Sequence, residues 1–195
     1  IIPDRAVAEK EIARPRYLDQ ELIELPSMAL GRARMELGHM GGIVDGMLEN
    51  IKPALQGRDL GGLARGFDQI VVLRDAVLVY LQKVGRHEFS DLEAGEHARL
   101  VTATGELEGM AAAISRDLAP LVAEFETAKI VLSKETAELL ERLLQAIEES
   151  ARSALHALVE RDEQAAQAVL AKRGEIAGLT AEVQQLQAAR LAQDD

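Results

Sequence analysis

The 195-residue chain has no cysteine and no tryptophan. Without cysteine it can form no disulfide and offers no thiolate as nucleophile or metal ligand, an absence that suits a reducing compartment. Aromatic residues make up only 3% of the sequence, although 48% of it is hydrophobic. Strand-favouring aromatic and β-branched residues are scarce outside one short stretch. Leu, Ala, Glu, Arg and Gln dominate, the set that loses least rotamer freedom in a helix. The expected fold class is therefore all-α. An excess of positive charge is also missing: 22 basic residues face 33 acidic ones, for a net charge of −11. Neutralising a phosphate backbone takes clustered Lys and Arg, so no nucleic-acid partner is expected. Long apolar runs are absent as well. The longest, Ile70 to Leu81, is broken by Arg74 and Asp75, short of the roughly 18 residues that span a bilayer. The chain as given is expected to be soluble. It starts at Ile1 with no charged-then-apolar leader, as expected of a piece of something longer.

What is present is helical periodicity. Three of the five prolines, Pro3, Pro15 and Pro26, fall in residues 1–26. Proline removes a backbone donor and disfavours helix before it, so this stretch reads as a lead-in. The first long helix follows, with Leu30, Ala33, Leu37, Met40, Val44, Met47, Ile51 and Ala54 on one seam at alternating spacings of three and four. Gly57 is placed to end it and Asp59 to cap the next. The second helix, to about Val84, buries Leu63, Phe67, Ile70, Val77, Leu81 and Val84. Ile70–Leu73 is apolar nearly all round, which predicts a central helix. Gly85 closes it, and Ser90 with Glu93 forms a capping box for the third helix. That helix carries Leu100, Thr104, Leu107, Ala111, Ile114, Leu118, Leu121 and Phe125. Ser133 caps the fourth helix, with a seam of Ala137, Leu140, Leu144, Ile147, Ala151, Ala154 and Leu158. Asp162 caps the fifth, which places Val169, Ile176, Leu179, Val183 and Leu186 inside.

An internal repeat is visible. Gln56-Gly57-Arg58-Asp59 and Glu160-Arg161-Asp162-Glu163 each stand between two long helices, and Ile176, Leu179 and Val183 echo Ile70, Leu73 and Val77. The expected organisation is a lead-in at 1–26, a three-helix repeat at 27–130 and an incomplete second repeat at 131–195, with a sixth helix missing. Such an array leaves an apolar groove at its end, where a homodimer would form.

Few residues offer chemistry. His39, His87, His97 and His156 are scattered, with no His-x3-His pair. Glu36 and His39 stand at i, i+3, but a di-metal bundle needs a second such pair. Asp45 and Glu49 stand at i, i+4, as do Glu138 and Arg142; the former pair could chelate a cation weakly, but such charges are read as a solvated helix face. Asp91, Glu93 and Glu96 suit the positive end of a helix dipole. Gly38, Gly41, Gly42 and Gly46 cluster within the first helix, where each costs about 1 kcal/mol relative to Ala. Two reasons are open, close helix approach, with Gly42 and Gly46 as a small-xxx-small pair, or a kink, and the first is expected. No Gly-x-Ser-x-Gly elbow and no phosphate-cradling glycine loop is present. No catalytic residue and no cofactor is expected, and the chain reads as a non-enzyme.

The lead-in Arg16-Tyr17-Leu18-Asp19 with Leu25-Pro26-Ser27-Met28-Ala29-Leu30 resembles the junction between membrane helices and cytoplasmic domain in sodium/phosphate cotransporter-family proteins. Met35-Glu36-Leu37-Gly38-His39-Met40, running into Val44-Asp45-Gly46-Met47-Leu48, and the turns at 57–59 and 160–162 are similar to PhoU-like domains. The resemblance covers essentially the whole chain and implies a PhoU-like antiparallel bundle of two three-helix repeats. PhoU proteins hold metal clusters through acidic pairs at i, i+4, a spacing that puts two carboxylates on one helix face. Carried over, those positions fall at Phe67 and Val71, and at Arg173 and Ala177. In Glu106-Leu107-Glu108-Gly109-Met110-Ala111-Ala112, Glu108 survives but its partner is Ala112. The resemblance thus implies no PhoU-type metal cluster, and leaves Glu108, Asp68 and Asp45 as the acids with which any metal site would begin. It implies a regulatory or scaffolding domain of a sodium-dependent phosphate transporter, on the cytoplasmic face of the bacterial inner membrane. Its partner would be its own N-terminal transmembrane domain or another transporter component. A free-standing PhoU-like regulator of phosphate uptake is the alternative. A coiled coil without phosphate connection would need one long uninterrupted seam, and capped turns interrupt this one.

Overall fold

The computed structural model describes residues 13–54, 61–129 and 132–191. Every regular element among them is helical: a 3-10 turn Gln20–Leu22, α1 Pro26–Glu49, α2 Ile51–Ala54, α3 Gly61–Val84, α4 Asp91–Ala112, a π segment Ala113–Leu118, α5 Ala119–Thr127, α6 Lys134–Glu160 and α7 Glu163–Leu191. The all-α fold read from composition is the fold found.

Local chemistry sets the ends. Pro26 opens α1, where its missing N–H costs nothing. Ser90 and Glu93 form the expected capping box at α4. The Ser133 hydroxyl accepts from the Thr136 amide at α6. Asp162 accepts from the amides of Gln164 and Ala165, at 2.8 and 3.1 Å, at α7. Between α6 and α7, Arg161 takes the left-handed conformation with φ 57°, the geometry that closes a helix C-terminus. The expected stop at Gly57 and cap at Asp59 lie outside the described residues.

The bundle centre is α1, which packs on α3, α4 and α6. The all-round apolar stretch of α3 had suggested that α3 would be central. Instead Ile70 and Leu73 are buried while Val72 and Val79 are 41% and 52% exposed, because α3 packs on α1, α4 and the π segment and no described element covers its outer face. α1 takes the centre because small residues alternate with large ones around much of its circumference. Ala29, Ala33 and Gly41 are buried beside Leu30, Leu37, Met40 and Val44. The glycines act differently from the expected pairing. A Cβ on Gly41 would stand 2.3 Å from a Leu155 methyl, and one on Gly38 would stand 3.1 Å from Val159. These are the close approaches, both to α6. Gly42 and Gly46 meet nothing within 4 Å.

Two seams shift from their expected lines. In α4 the pattern holds through Ile114, then moves: Val122 is 2% exposed and Leu121 is 52% exposed. The π segment Ala113–Leu118, which includes Ile114, lies between Ala111 and these two positions. A π turn takes up one residue more than an α turn, so the buried line advances by one position, from 121 to 122. In α6 the line divides. Leu144, Ile147, Ala151, Leu155 and Leu158 join the main core, whereas Leu139, Leu143 and Ala146 turn towards α7. There they meet Ile176, Leu179, Val183 and Leu186 in a second small cluster. Of the expected inner line of α7, Leu179 is buried and the rest are partly covered. No helix among the described residues is long and apolar enough to cross a membrane.

Candidate functional site

Residues 13–25 contain only the Gln20–Leu22 turn, yet they lie against the bundle. Ala13, Leu18 and Ile23 pack on the main core. The polar anchor is Glu36, an acid on the buried stripe of α1 with its side chain 0% exposed. Its Oε2 accepts the backbone N–H groups of Arg16, at 2.8 Å, and Tyr17, at 2.7 Å. Its Oε1 meets His39 Nδ1 at 2.8 Å. The Tyr17 ring stands edge-on to the His39 ring, with centroids 6.4 Å apart. Hydrogen bonds to a charged group contribute about 1.5–3 kcal/mol each, and a buried carboxylate stripped of partners costs several. The stability of Glu36 in the core therefore depends on the amides of Arg16 and Tyr17 beside its α1 neighbour His39.

A second attachment reaches α3. The Tyr80 hydroxyl donates to the Asp19 carbonyl at 2.9 Å, and Lys83 Nζ donates to Gln20 Oε1 at 2.8 Å. Burial, reinforced by the nearby Asp19 charge, raises the Tyr80 phenol above its ordinary value. Asp19 Oδ1 accepts from the Glu21 amide and starts the 3-10 turn. Residues 13–25 thus form a strap lying along α1 and tied to α3.

Beside the start of the strap is a cavity of about 760 Å³, bounded by Ala13, by Gly42, Ile43 and Gly46 of α1, and by Gly66 and Phe67 of α3. The π segment sends Arg116 over the Phe67 ring, 4.6 Å from its centroid. Phe67 and Val71 line this cavity, so where the resemblance places an acidic pair the wall is a phenyl and an isopropyl group. Arg173 and Ala177 are exposed on α7, and Ala112 is half-buried on α4.

The three acids singled out from sequence lie on three helices. Asp45 and Glu49 of α1 both serve Arg152 of α6, with Nε on Asp45 at 2.7 Å and Nη2 on Glu49 at 2.8 Å. The Asp45 charge, first among several, raises the Arg152 guanidinium above its ordinary value. Glu108 of α4 lies 3.3 Å from Arg74 of α3. Asp68 is exposed beside the cavity. Among the described residues no group of three or more His, Asp or Glu is placed to hold a metal ion. The histidines have separate tasks: His97 Nε2 meets the Leu81 carbonyl at 3.0 Å, and His156 stands 3.5 Å from Asp162. Glu96 joins helices by pairing with Arg34 and Arg161.

Glu36 was visible in the sequence only as an i, i+3 neighbour of His39. Its signal was its position between Ala33, Leu37 and Met40, an acid on a face otherwise apolar. Nothing in the spacing reveals that the partners are backbone amides 19 and 20 residues upstream. Arg116 carried no sequence signal, because its direction depends on the π segment.

The chain is similar to YjbB of Salmonella typhimurium strain LT2, provisionally named an inorganic phosphate export protein. They are 27% identical over 105 residues, which is 53% of this chain and 19% of the relative. YjbB of Escherichia coli K12 and of Shigella flexneri are each 27% identical over 110 residues, 55% of this chain and 20% of theirs. The matched stretch thus spans about a fifth of the length of these relatives. No protein-family profile matches the chain, and no solved structure matches it.

Proposed function

We propose that this chain is a regulatory or scaffolding domain of a phosphate transport protein and acts by helix packing rather than by catalysis. The observation that carries the proposal is the similarity to YjbB across half the chain. The architecture suits the role. Acids that could have gathered round a cation are held by arginines of neighbouring helices, as Asp45 and Glu49 are by Arg152. Such pairs fix how helices sit against each other. In the finer form of the proposal, the domain is PhoU-like and lies on the cytoplasmic face of the inner membrane. It contacts a sodium-coupled membrane domain of the same protein.

The test is transport of radiolabelled phosphate by cells carrying the full-length parent protein, with and without residues 13–191. Under this proposal transport persists without the domain, but its response to external phosphate is lost or altered. A deletion that changes neither rate nor response would overturn the regulatory role. Abolished transport, with the membrane part still correctly inserted, would make the domain part of the transport machinery itself.

A further inference from the structure

Two successive backbone N–H groups, of Arg16 and Tyr17, converge on one oxygen of Glu36, while the other oxygen is held by His39. Consecutive amides turned towards one anion form a nest, and here the anion is supplied by the protein's own central helix. Beside the edge-on contact of the Tyr17 ring with His39, the strap's long-range hydrogen bonds to α1 among the described residues are these two, both on one carboxylate. Breaking that single point frees both of the strap's bonds together, while the His39 bond lies within α1 itself. The Glu36 side chain is buried although its donors are only partly so, and a buried carboxylate left with half its partners is unfavourable. We infer that Glu36 and His39 form a latch, and that residues 13–25 are a coupling strap through which displacement of its near end, residues 13–17, is passed to α1.

The position of the latch gives it reach. Glu36 lies midway along α1, the helix that packs on α3, α4 and α6. Leu37 and Met40, adjoining the latch, are fully buried in the shared core, and Gly38 and Gly41 are the close approaches to α6. A pull at Arg16 thus acts on the segment of α1 that has least room to move independently of α6. The contacts of Asp19 with Tyr80 and of Gln20 with Lys83 keep the far end of the strap on α3. Release at Glu36 therefore swings the near end while the far end remains tied. The inference rests on this geometry and stands apart from the phosphate proposal.

The Arg16–Tyr17 peptide bond is a tryptic site, whereas Arg14 is followed by Pro15 and resists cleavage. The experiment uses the full chain. Glu36→Gln is expected to speed cleavage after Arg16 by about tenfold or more. His39→Ala should speed it by about threefold, with helical circular dichroism unchanged in both. Amide exchange across Leu37–Val44 should rise in Glu36→Gln, showing that the strap's state is felt in α1. If Glu36→Gln does not fold, the unaltered chain still decides the matter. Its Arg16 and Tyr17 amides should be protected to within about tenfold of the α1 core amides. Amides there that exchange at the rate of an unstructured peptide would overturn the latch, as would cleavage no faster in Glu36→Gln. Faster cleavage with unchanged exchange in α1 would overturn the coupling.

Discussion

Gly41 and Gly42 are neighbours on α1 with opposite surroundings. Gly41 leaves room for Leu155, whose methyl would stand 2.3 Å from an added Cβ, while Gly42 faces open space. Both would gain helix propensity on becoming alanine, by about 1 kcal/mol. Gly42→Ala is therefore expected to raise the unfolding midpoint in urea. In Gly41→Ala the same gain is opposed by overpacking against α6, at a cost of about 1–3 kcal/mol, and the variant should be the less stable of the two. Equal midpoints would show that α6 yields freely at Leu155. That glycines cluster in α1 was legible in the sequence. Which of them touch α6 was not, because contact depends on the rotation of α6 about its own axis, set by packing that no local pattern encodes. Glu36 is a second case at this scale: the residue and its apolar flanks can be read, but its donors belong to a segment with no periodicity at all.

Among the elements, the π segment Ala113–Leu118 has the clearest effect. Strict α periodicity carried the buried line of α4 to Leu121, and the extra residue taken up in the π turn moved it to Val122. Val122→Ala is expected to lower stability by about 2 kcal/mol through lost burial and a residual cavity. Leu121→Ala should stay within about 0.5 kcal/mol of the parent. The reverse order in a denaturant series would place Leu121 on the inner line after all. The helix starts were more legible than the seams, since a cap is local chemistry: Ser90, Ser133 and Asp162 all do as their positions predict. Asp162 also gives a pH prediction. Hydrogen bonds from the Ala165 and Gln164 amides hold its carboxyl below its ordinary value. A depressed folded value means that its contribution is present above the unfolded value and is lost as pH falls through the folded one. Helicity of the parent should therefore decline on acidification below about pH 4 more steeply than that of Asp162→Asn, which keeps a capping oxygen but does not titrate. Parallel acid curves would remove Asp162 from the account.

At the scale of the molecule, the helices divide between a core and an arm. α1, α3 and α4 share one continuous apolar cluster with one face of α6, whereas α7 meets the other face of α6 in a separate, smaller cluster. Leu170 of α7 is 70% exposed. Segments with few buried contacts open at lower free energy than the core. Amides across Ile176–Leu186 are accordingly expected to exchange about 100-fold faster than those across Leu37–Val44. Uniform protection from α1 to α7 would mean that arm and core open as one unit. The two helices α6 and α7 were read from their caps at Ser133 and Asp162. The division of α6 between two clusters was not legible, because one seam was read where two narrower ones share the helix.

Helical periodicity begins at Pro26, and that is where anyone trimming the protein for expression would cut. Such a cut removes Arg16 and Tyr17 and leaves Glu36 sealed inside without the amides it was buried for. The shortened chain must then admit water beside Leu37 and Met40 to solvate that carboxyl, which leads towards a loosened, sticky bundle. The smallest piece that can stand alone therefore starts upstream of the first long helix, at a stretch that carries almost no secondary structure.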